Sequence, residues 1–192
     1  STAFFDRINI AVLFRNPGFQ STIGISDPRL MGILMTAFVF PYGASAMLFS
    51  VGGDVLGPRK TLSGIAALLA GAMAFMGAVS SYGLMIATRI LIGITEGPQF
   101  GIATAAVKRW FPAREQALAN ALWTIGSPLG SMIGFPLVIF LVAHYGWRAS
   151  FFALAGLNAL VVLPAIWIFL RDAPPEPTAA PKEPPIPFSQ AF

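Results

Sequence analysis

Long apolar runs separated by short polar segments dominate the hydropathy pattern of this chain. An α-helix needs roughly 20 residues to cross a bilayer, and runs of about this length predict spanning helices over residues 29–51, 61–79, 84–101, 116–142 and 149–170. A shorter apolar stretch, residues 1–13, is interpreted as the second half of a helix whose beginning is missing. The pattern therefore predicts six helices, numbered here as spans 1 to 6 in chain order.

Proline and aspartate mark the limits of these spans. Asp27 followed by Pro28 is typical of a helix start, with aspartate as the cap and proline in the first turn. Pro41 is expected to break span 2, and residues 15–26 are expected to form a loop.

The composition changes abruptly after residue 170. Seven prolines between residues 174 and 187 exclude a helix and predict an extended linker over residues 171–192. The chain is therefore expected to consist of a transmembrane bundle, residues 1–170, and a proline-rich linker.

Span 4 differs from the others because it carries two ionisable residues within an apolar run. Arg89 and Glu96 are seven residues apart, which is two helical turns, so they share one helix face about 10 Å apart along the axis. A charge at the bilayer centre costs about 2.5–3.5 kcal/mol, so both side chains are expected to face water or each other. Gly93 lies between them and is expected to leave open space, which would make span 4 the wall of a polar cavity.

Small and polar residues recur at helical spacing in spans 4 and 5. Gly93, Gly97 and Gly101 form a stripe against which another helix can pack closely, and Pro98 predicts a kink. Polar side chains line one face of span 5, where they either contact a ligand or bond backbone carbonyls and neighbours, two interpretations that stay open. These residues are Asn120, Thr124, Ser127 and Ser131.

Composition places the chain among integral membrane proteins, with 56% hydrophobic and 10% charged residues and a mean hydropathy of +0.73. The absence of cysteine excludes disulfides and thiolate metal sites. A net charge of +4 does not indicate nucleic acid, because the basic residues are scattered in short loops. Trp110, Phe111 and Trp147 are expected to anchor the helices at the membrane interface.

The loop charges predict an orientation. If the spans alternate in direction, three basic residues fall on one side, Arg15, Arg29 and Arg148. The other side holds more, which places it, and the linker, in the cytoplasm. Its seven basic residues are Arg59, Lys60, Lys108, Arg109, Arg114, Arg171 and Lys182.

Several motifs then occur at matching positions. The loop between spans 2 and 3 reads SVGGDVLGPRK, span 4 contains RILIGITEGPQF, and KRWFPAREQALANALW follows it. Together with GSPLG in span 5 and YGWRASFF before span 6, these segments resemble the major facilitator superfamily, in particular its anion:cation symporter branch of sugar-acid/proton symporters. The resemblance implies an all-α membrane fold of twelve helices. This chain would be the N-terminal half, with six helices in two inverted three-helix repeats, and the C-terminal half would be absent.

The resemblance, together with the chemistry of the side chains, suggests roles for individual residues. Glu96 and Asp6 would couple transport to protons. Anion binding would involve Arg7, Tyr42, Arg89, Asn120 and Ser127, of which Ser127 replaces a glutamine found in some members. Loop residues Asp54, Gly57, Arg59 and Lys60 would cap helix ends and hold a cytoplasmic gate.

The expected function is secondary active transport of an organic anion, a sugar acid or other carboxylate, coupled to H⁺ and requiring no cofactor or metal. The expected partners are the anion, H⁺, the lipid bilayer and the C-terminal half, with the bacterial inner membrane as the location. Two alternatives stay open: an anion exchanger, and a membrane sensor that binds anions without moving them. A purely structural ion-pair network of Asp6, Arg7, Arg89 and Glu96 is the simplest competing interpretation. An enzyme is not predicted, because no Ser-His, paired-aspartate or metal-ligand constellation is present.

Overall fold

The computed structural model describes residues 3–25, 27–49 and 57–170, with residues 3–7 described by their backbone alone. Within these ranges the regular structure is helical throughout and no strand occurs. The helices are α1 (Ala3–Leu13), α2 (Pro17–Ile23), α3 (Pro28–Phe49), α4 (Pro58–Ala78), α5 (Tyr82–Glu96), α6 (Gln99–Trp110), α7 (Ala113–Tyr145), α8 (Trp147–Leu157) and α9 (Leu163–Phe169), with a π-helical turn, Asn158–Val162, between α8 and α9.

The described residues contain five helical segments that are long and apolar enough to cross a membrane, matching spans 2 to 6. Most ends differ from the predicted ends by up to three residues, because capping and fraying, rather than hydropathy, fix where a helix stops. The exception is span 4, which was predicted to end at residue 101 and continues to Trp110. The prediction of an all-α membrane protein is confirmed. The predicted linker lies outside the described residues. The five segments are Pro28–Phe49, Pro58–Ala78, Tyr82–Trp110, Ala113–Tyr145 and Trp147–Phe169.

Two local predictions hold. The Asp27 side chain accepts a 2.8 Å hydrogen bond from the backbone N–H of Arg29, as expected of a helix cap. The span 4 helix is interrupted at Gly97 and Pro98, between the end of α5 and the start of α6. Proline supplies no N–H to the helix ladder, which accounts for the interruption.

Two local predictions are wrong. The region predicted as a loop contains helix α2, whose first turn is held by a 3.0 Å hydrogen bond from Phe19 N–H to Asn16 Oδ1. Helix α3 also continues through Pro41 without a break. Bilayer helices tolerate proline when neighbouring helices compensate for the lost hydrogen bond, and α3 is packed along α5 at this level.

A seam between α4 and the α8–α9 segment holds span 3 against span 6 from end to end. At one end, Arg148 donates 2.7 Å hydrogen bonds to the Gly77 carbonyl and the Ser80 hydroxyl. In the middle, the buried Asn158 amide contacts the sulfur of Met73 at 3.6 Å. Charged and amide groups therefore tie the two helices together at more than one depth.

Trp147 was expected to be an interface anchor, and that prediction is wrong. Its side chain is only 7% exposed and belongs to the central apolar cluster. Its ring packs edge-on against Phe19 at 5.2 Å and against Phe151 at 6.2 Å between centroids. The tryptophan therefore connects α2 to α8 in the interior.

Candidate functional site

Both charges of span 4 are fully enclosed. Arg89 and Glu96 lie on α5 with exposed fractions of 0% and 1%. The Arg89 guanidinium carbon lies 5.8 Å from the centre of the Phe38 ring on α3, within the range of a cation–π contact. The interior of the helical bundle therefore holds an arginine and a glutamate two turns apart, with α3 against the arginine.

Gly93 does not leave open space between the charges, so that prediction is wrong. A Cβ atom placed on Gly93 would come within 2.5 Å of the Phe38 carbonyl oxygen and 3.2 Å of the Tyr42 nitrogen. The space is filled by the backbone of α3. The Ser45 hydroxyl completes the contact, donating to the Gly93 carbonyl at 3.2 Å and to the Tyr42 carbonyl at 3.1 Å.

The close-packing stripe was predicted correctly at Gly93 and continues at Gly97. A Cβ atom on Gly97 would collide with the Ser45 hydroxyl and the Tyr42 carbonyl, and would lie 2.8 Å from the Ala46 nitrogen. Only a residue without a side chain permits this approach, which is how small residues join membrane helices. The two glycines thus hold α3 directly beside the Arg89–Glu96 helix.

This contact also brings Tyr42 to the buried charges. The Tyr42 ring stacks on Phe38 with 5.6 Å between centroids, and Phe38 is the ring that Arg89 approaches. Tyr42 is half-buried. The structure therefore assembles three of the predicted residues, Tyr42, Arg89 and Glu96, along one interhelical contact.

Asp6 and Arg7 lie in α1, and their side chains lie outside the described part of the chain.

The predicted polar face of α7 is partly occupied by local hydrogen bonds. Asn120 Oδ1 accepts a 2.9 Å hydrogen bond from Trp123 Nε1. The Ser131 hydroxyl donates to the Ser127 carbonyl of its own helix at 3.1 Å. Asn120 and Ser127 are half-buried.

Of the predicted gate residues, Asp54 lies outside the described residues. Gly57 precedes α4 with a φ of 85°, a conformation that favours glycine. Arg59 donates a 2.7 Å hydrogen bond to the Trp167 carbonyl and lies 4.5 Å above its ring. Arg59 therefore caps a helix end, as expected, whereas Lys60 is exposed.

Two hollows open where spans 3 to 6 approach the predicted cytoplasmic face. The first, about 580 Å³, is lined by apolar and aromatic side chains such as Trp110, Leu122 and Trp123. The second, about 590 Å³, includes Lys108 and Arg109. Neither is lined by Arg89 or Glu96.

Among the described residues, no cluster of three or more histidine, cysteine, aspartate or glutamate side chains could hold a metal ion.

Sequence reasoning missed one aromatic residue at the buried charges and the two basic residues that line the second hollow. Phe38 lies between the Arg89 and Tyr42 side chains, yet its position in an apolar run carries no signal that separates it from other core residues. The Lys108 and Arg109 side chains line a hollow, although their loop-proximal position indicated only orientation.

Buried opposite charges on a kinked apolar helix, within a bundle of spanning helices, define the class as a polytopic membrane protein with an ionisable interior. Comparison with known proteins agrees. The family model for the Major Facilitator Superfamily matches residues 1–192. The chain belongs to this superfamily and is an integral, multi-pass membrane protein.

The chain is similar to several curated transporters. It is 31% identical over 172 residues to the probable sulfoacetate transporter SauU of Cupriavidus necator, covering 90% of this chain and 39% of that protein. It is 28% identical over 164 residues to the hexuronate transporter of Bacillus subtilis, covering 83% of this chain and 37% of the relative. It is 30% identical over 174 residues to the gallate transporter of Pseudomonas putida, covering 88% and 37%.

The chain thus spans under two fifths of the length of these relatives, at 37–39%. Relatives of this kind confirm the predicted resemblance to acid and anion transporters. The prediction that the chain is not an enzyme is confirmed by the same family membership.

Proposed function

We propose that the protein carrying this chain is a secondary active transporter of an organic anion, coupled to protons. The observation that carries the proposal is the enclosure of Arg89 and Glu96, at 0% and 1% exposure, inside an apolar membrane helix. Ionisable residues at membrane depth are costly and mark substrate or proton pathways. The names of the relatives, which specify sulfoacetate, hexuronate and gallate, support an organic acid as substrate.

Arginine is suited to the anion because its guanidinium offers a forked pair of donors to a carboxylate. Arg7 is proposed as the main anion ligand. Arg89 and Tyr42 contribute from the contact between α3 and α5, and Asn120 and Ser127 contribute from α7.

Glu96 is proposed as the main proton-coupling group, with Asp6 as the second. A carboxylate that loses its share of nearby positive charge to a bound anion gains affinity for a proton. Anion and proton binding then favour each other, and by linkage the effect is the same in both directions. The helix is interrupted at Gly97 and Pro98, directly after Glu96, and this interruption is the proposed hinge of the coupling movement.

Alternating access requires two halves that rock about a shared site. We therefore propose that a C-terminal six-helix half completes the pocket and that residues 1–170 form the N-terminal bundle. Residues 171–192 would be the linker, and Asp54, Gly57, Arg59 and Lys60 would form the cytoplasmic gate. The bilayer and H⁺ are the other partners, and the bacterial inner membrane is the proposed location.

Uptake by proteoliposomes containing the complete protein tests this function. Labelled sulfoacetate, a hexuronate and gallate are offered with and without an inward proton gradient. The proposal predicts that the gradient drives accumulation of at least one acid above its external concentration. Exchange that needs internal anion and ignores the gradient would instead identify an exchanger, and binding without any transport would identify a sensor.

A further inference from the structure

The second hollow lies on the flank of α6, in the part of span 4 that follows Pro98. Its lining residues come from one side of that helix. Lys108 and Arg109 are exposed at its end, and none of the described residues that line it is acidic. The lining residues are Phe100, Gly101, Thr104, Ala105, Lys108 and Arg109.

The hollow lies along the helix between the depth of the buried Glu96 and the membrane surface. Lys108 follows Glu96 by twelve residues, which is about 18 Å of helix. Half the thickness of the hydrocarbon core is about 15 Å. If Lys108 lies at the cytoplasmic surface, Glu96 therefore lies near the middle of the bilayer, and the hollow occupies the depth between them.

The chemistry of the hollow favours attraction by charge over recognition by shape. The Thr104 hydroxyl donates to the Phe100 carbonyl of its own helix at 3.0 Å, which uses its only donor. The other wall residues between Phe100 and Lys108 are a glycine and an alanine. Two cations beside low-dielectric walls focus the electrostatic field and raise the local concentration of anions.

We propose that this hollow is the inner vestibule of the transport pathway, where organic anions collect beside Lys108 and Arg109 as they enter or leave from the cytoplasmic side. The proposal rests on the proposed transport function and adds a binding region to it. The competing explanation is that both residues only contribute to the positive charge of the cytoplasmic surface. Arg114 separates the two explanations, because it is also exposed and basic on that face but does not line the hollow.

The test measures anion transport from each side of the membrane at two ionic strengths. The complete protein is prepared as wild type, Lys108→Gln, Lys108→Gln with Arg109→Gln, and Arg114→Gln. Membrane vesicles of both orientations are supplied with the acid that the wild type transports best. The single Lys108→Gln variant carries the test by itself if substitution at Arg109 disturbs folding.

In the double variant, the half-saturating anion concentration at the cytoplasmic face should rise about five- to tenfold at 0.01 M ionic strength. At 1 M ionic strength it should change less than about twofold, because the Debye length shrinks from about 30 Å to about 3 Å. The external half-saturating concentration and the Arg114→Gln variant should stay within about twofold of wild type. If the wild type transports the anion, an equal effect of Arg114→Gln, or no effect of Lys108→Gln, would overturn the vestibule and leave the proposed transport function standing. A wild type that transports no anion from either side would instead reject the proposed function and the vestibule with it.

Discussion

Arg148 donates a 2.7 Å hydrogen bond from Nη1 to the carbonyl oxygen of Gly77, joining the first turn of α8 to the last turn of α4. The same two spans are joined at their other ends, where Arg59 in the first turn of α4 donates to the Trp167 carbonyl in α9. Each arginine satisfies a carbonyl at the C-terminal end of the opposite helix, where carbonyls lack intrahelical partners and the helix dipole is negative. Such reciprocity between the third spans of two repeats is consistent with the predicted inverted-repeat arrangement.

Replacing Arg148 by methionine should destabilise the bundle, because it removes both side-chain hydrogen bonds and keeps the apolar stem. We expect the free energy of unfolding to fall by about 2 kcal/mol, after allowance for the partial exposure of the side chain. Thermal or SDS unfolding of the complete protein measures this change. Arg15→Met, at an exposed position, serves as the control and should change stability by less than about 0.5 kcal/mol. Equal losses in the two variants would show that the Arg148–Gly77 contact adds no stability.

Gly97→Ala should separate α3 from α5. The added Cβ would meet the Tyr42 carbonyl and the Ala46 nitrogen, and backbone atoms cannot move aside as flexible side chains can. Overpacking of this kind typically costs about 1–3 kcal/mol. Gly71→Ala is the matched control, because that helical position has open space where the Cβ would lie. The same unfolding assay should show the control at wild-type stability or above, and a Gly97→Ala variant as stable as Gly71→Ala would refute the close contact.

The sequence was sufficient to predict the spans because the bilayer imposes a length and an apolar composition on each one. It was also sufficient to predict the glycine stripe, since close helix packing requires small residues at a fixed spacing. What lies against the stripe could not be predicted. Gly93 was expected beside open space, yet the Phe38 and Tyr42 backbone fills it, because the choice of partner helix depends on tertiary packing that periodicity does not encode.

The contacts between spans 3 and 6 likewise could not be predicted from the sequence pattern. Arg148 was interpreted as a loop charge and Trp147 as an interface anchor, but the arginine bonds Gly77 and the tryptophan is 93% buried, at 7% exposure. An Arg–carbonyl bond across 71 residues of chain leaves no local pattern. The enclosure of Arg89 and Glu96 was easier to predict, because ionisable residues within apolar runs stand out by themselves.

Arg7→Lys tests anion recognition on α1. Lysine keeps the charge but loses the planar fork that pairs with a carboxylate. We expect the affinity of the complete protein for its anion to fall at least about tenfold in an equilibrium binding assay, with unfolding temperature unchanged. Arg15→Lys, at an exposed position two residues after the end of α1, is the control. Wild-type affinity in Arg7→Lys would remove Arg7 from the site.

The orientation can be checked with reporters. Fusions after Arg59, Lys108 and Arg171 should report a cytoplasmic location, and fusions at Asn16 and His144 an external one, because basic residues are retained in the cytoplasm. Alkaline phosphatase and fluorescent-protein activities read the two sides. His144 is exposed in the last turn of α7, and a cytoplasmic signal there would invalidate the number of crossings and with it the placement of the vestibule.

The measurement that tests proton-coupled anion transport most directly is accumulation by Glu96→Gln in proteoliposomes of the complete protein, compared with wild type from pH 5 to 8. Glutamine mimics the protonated carboxyl and cannot release a proton. Wild type should concentrate the anion when an inward proton gradient is imposed. Glu96→Gln should bind the anion, lose the pH dependence of binding and fail to concentrate it. A Glu96→Gln protein that still concentrates the anion with wild-type pH dependence would contradict the account and leave Glu96 as a structural residue of the α5 interior.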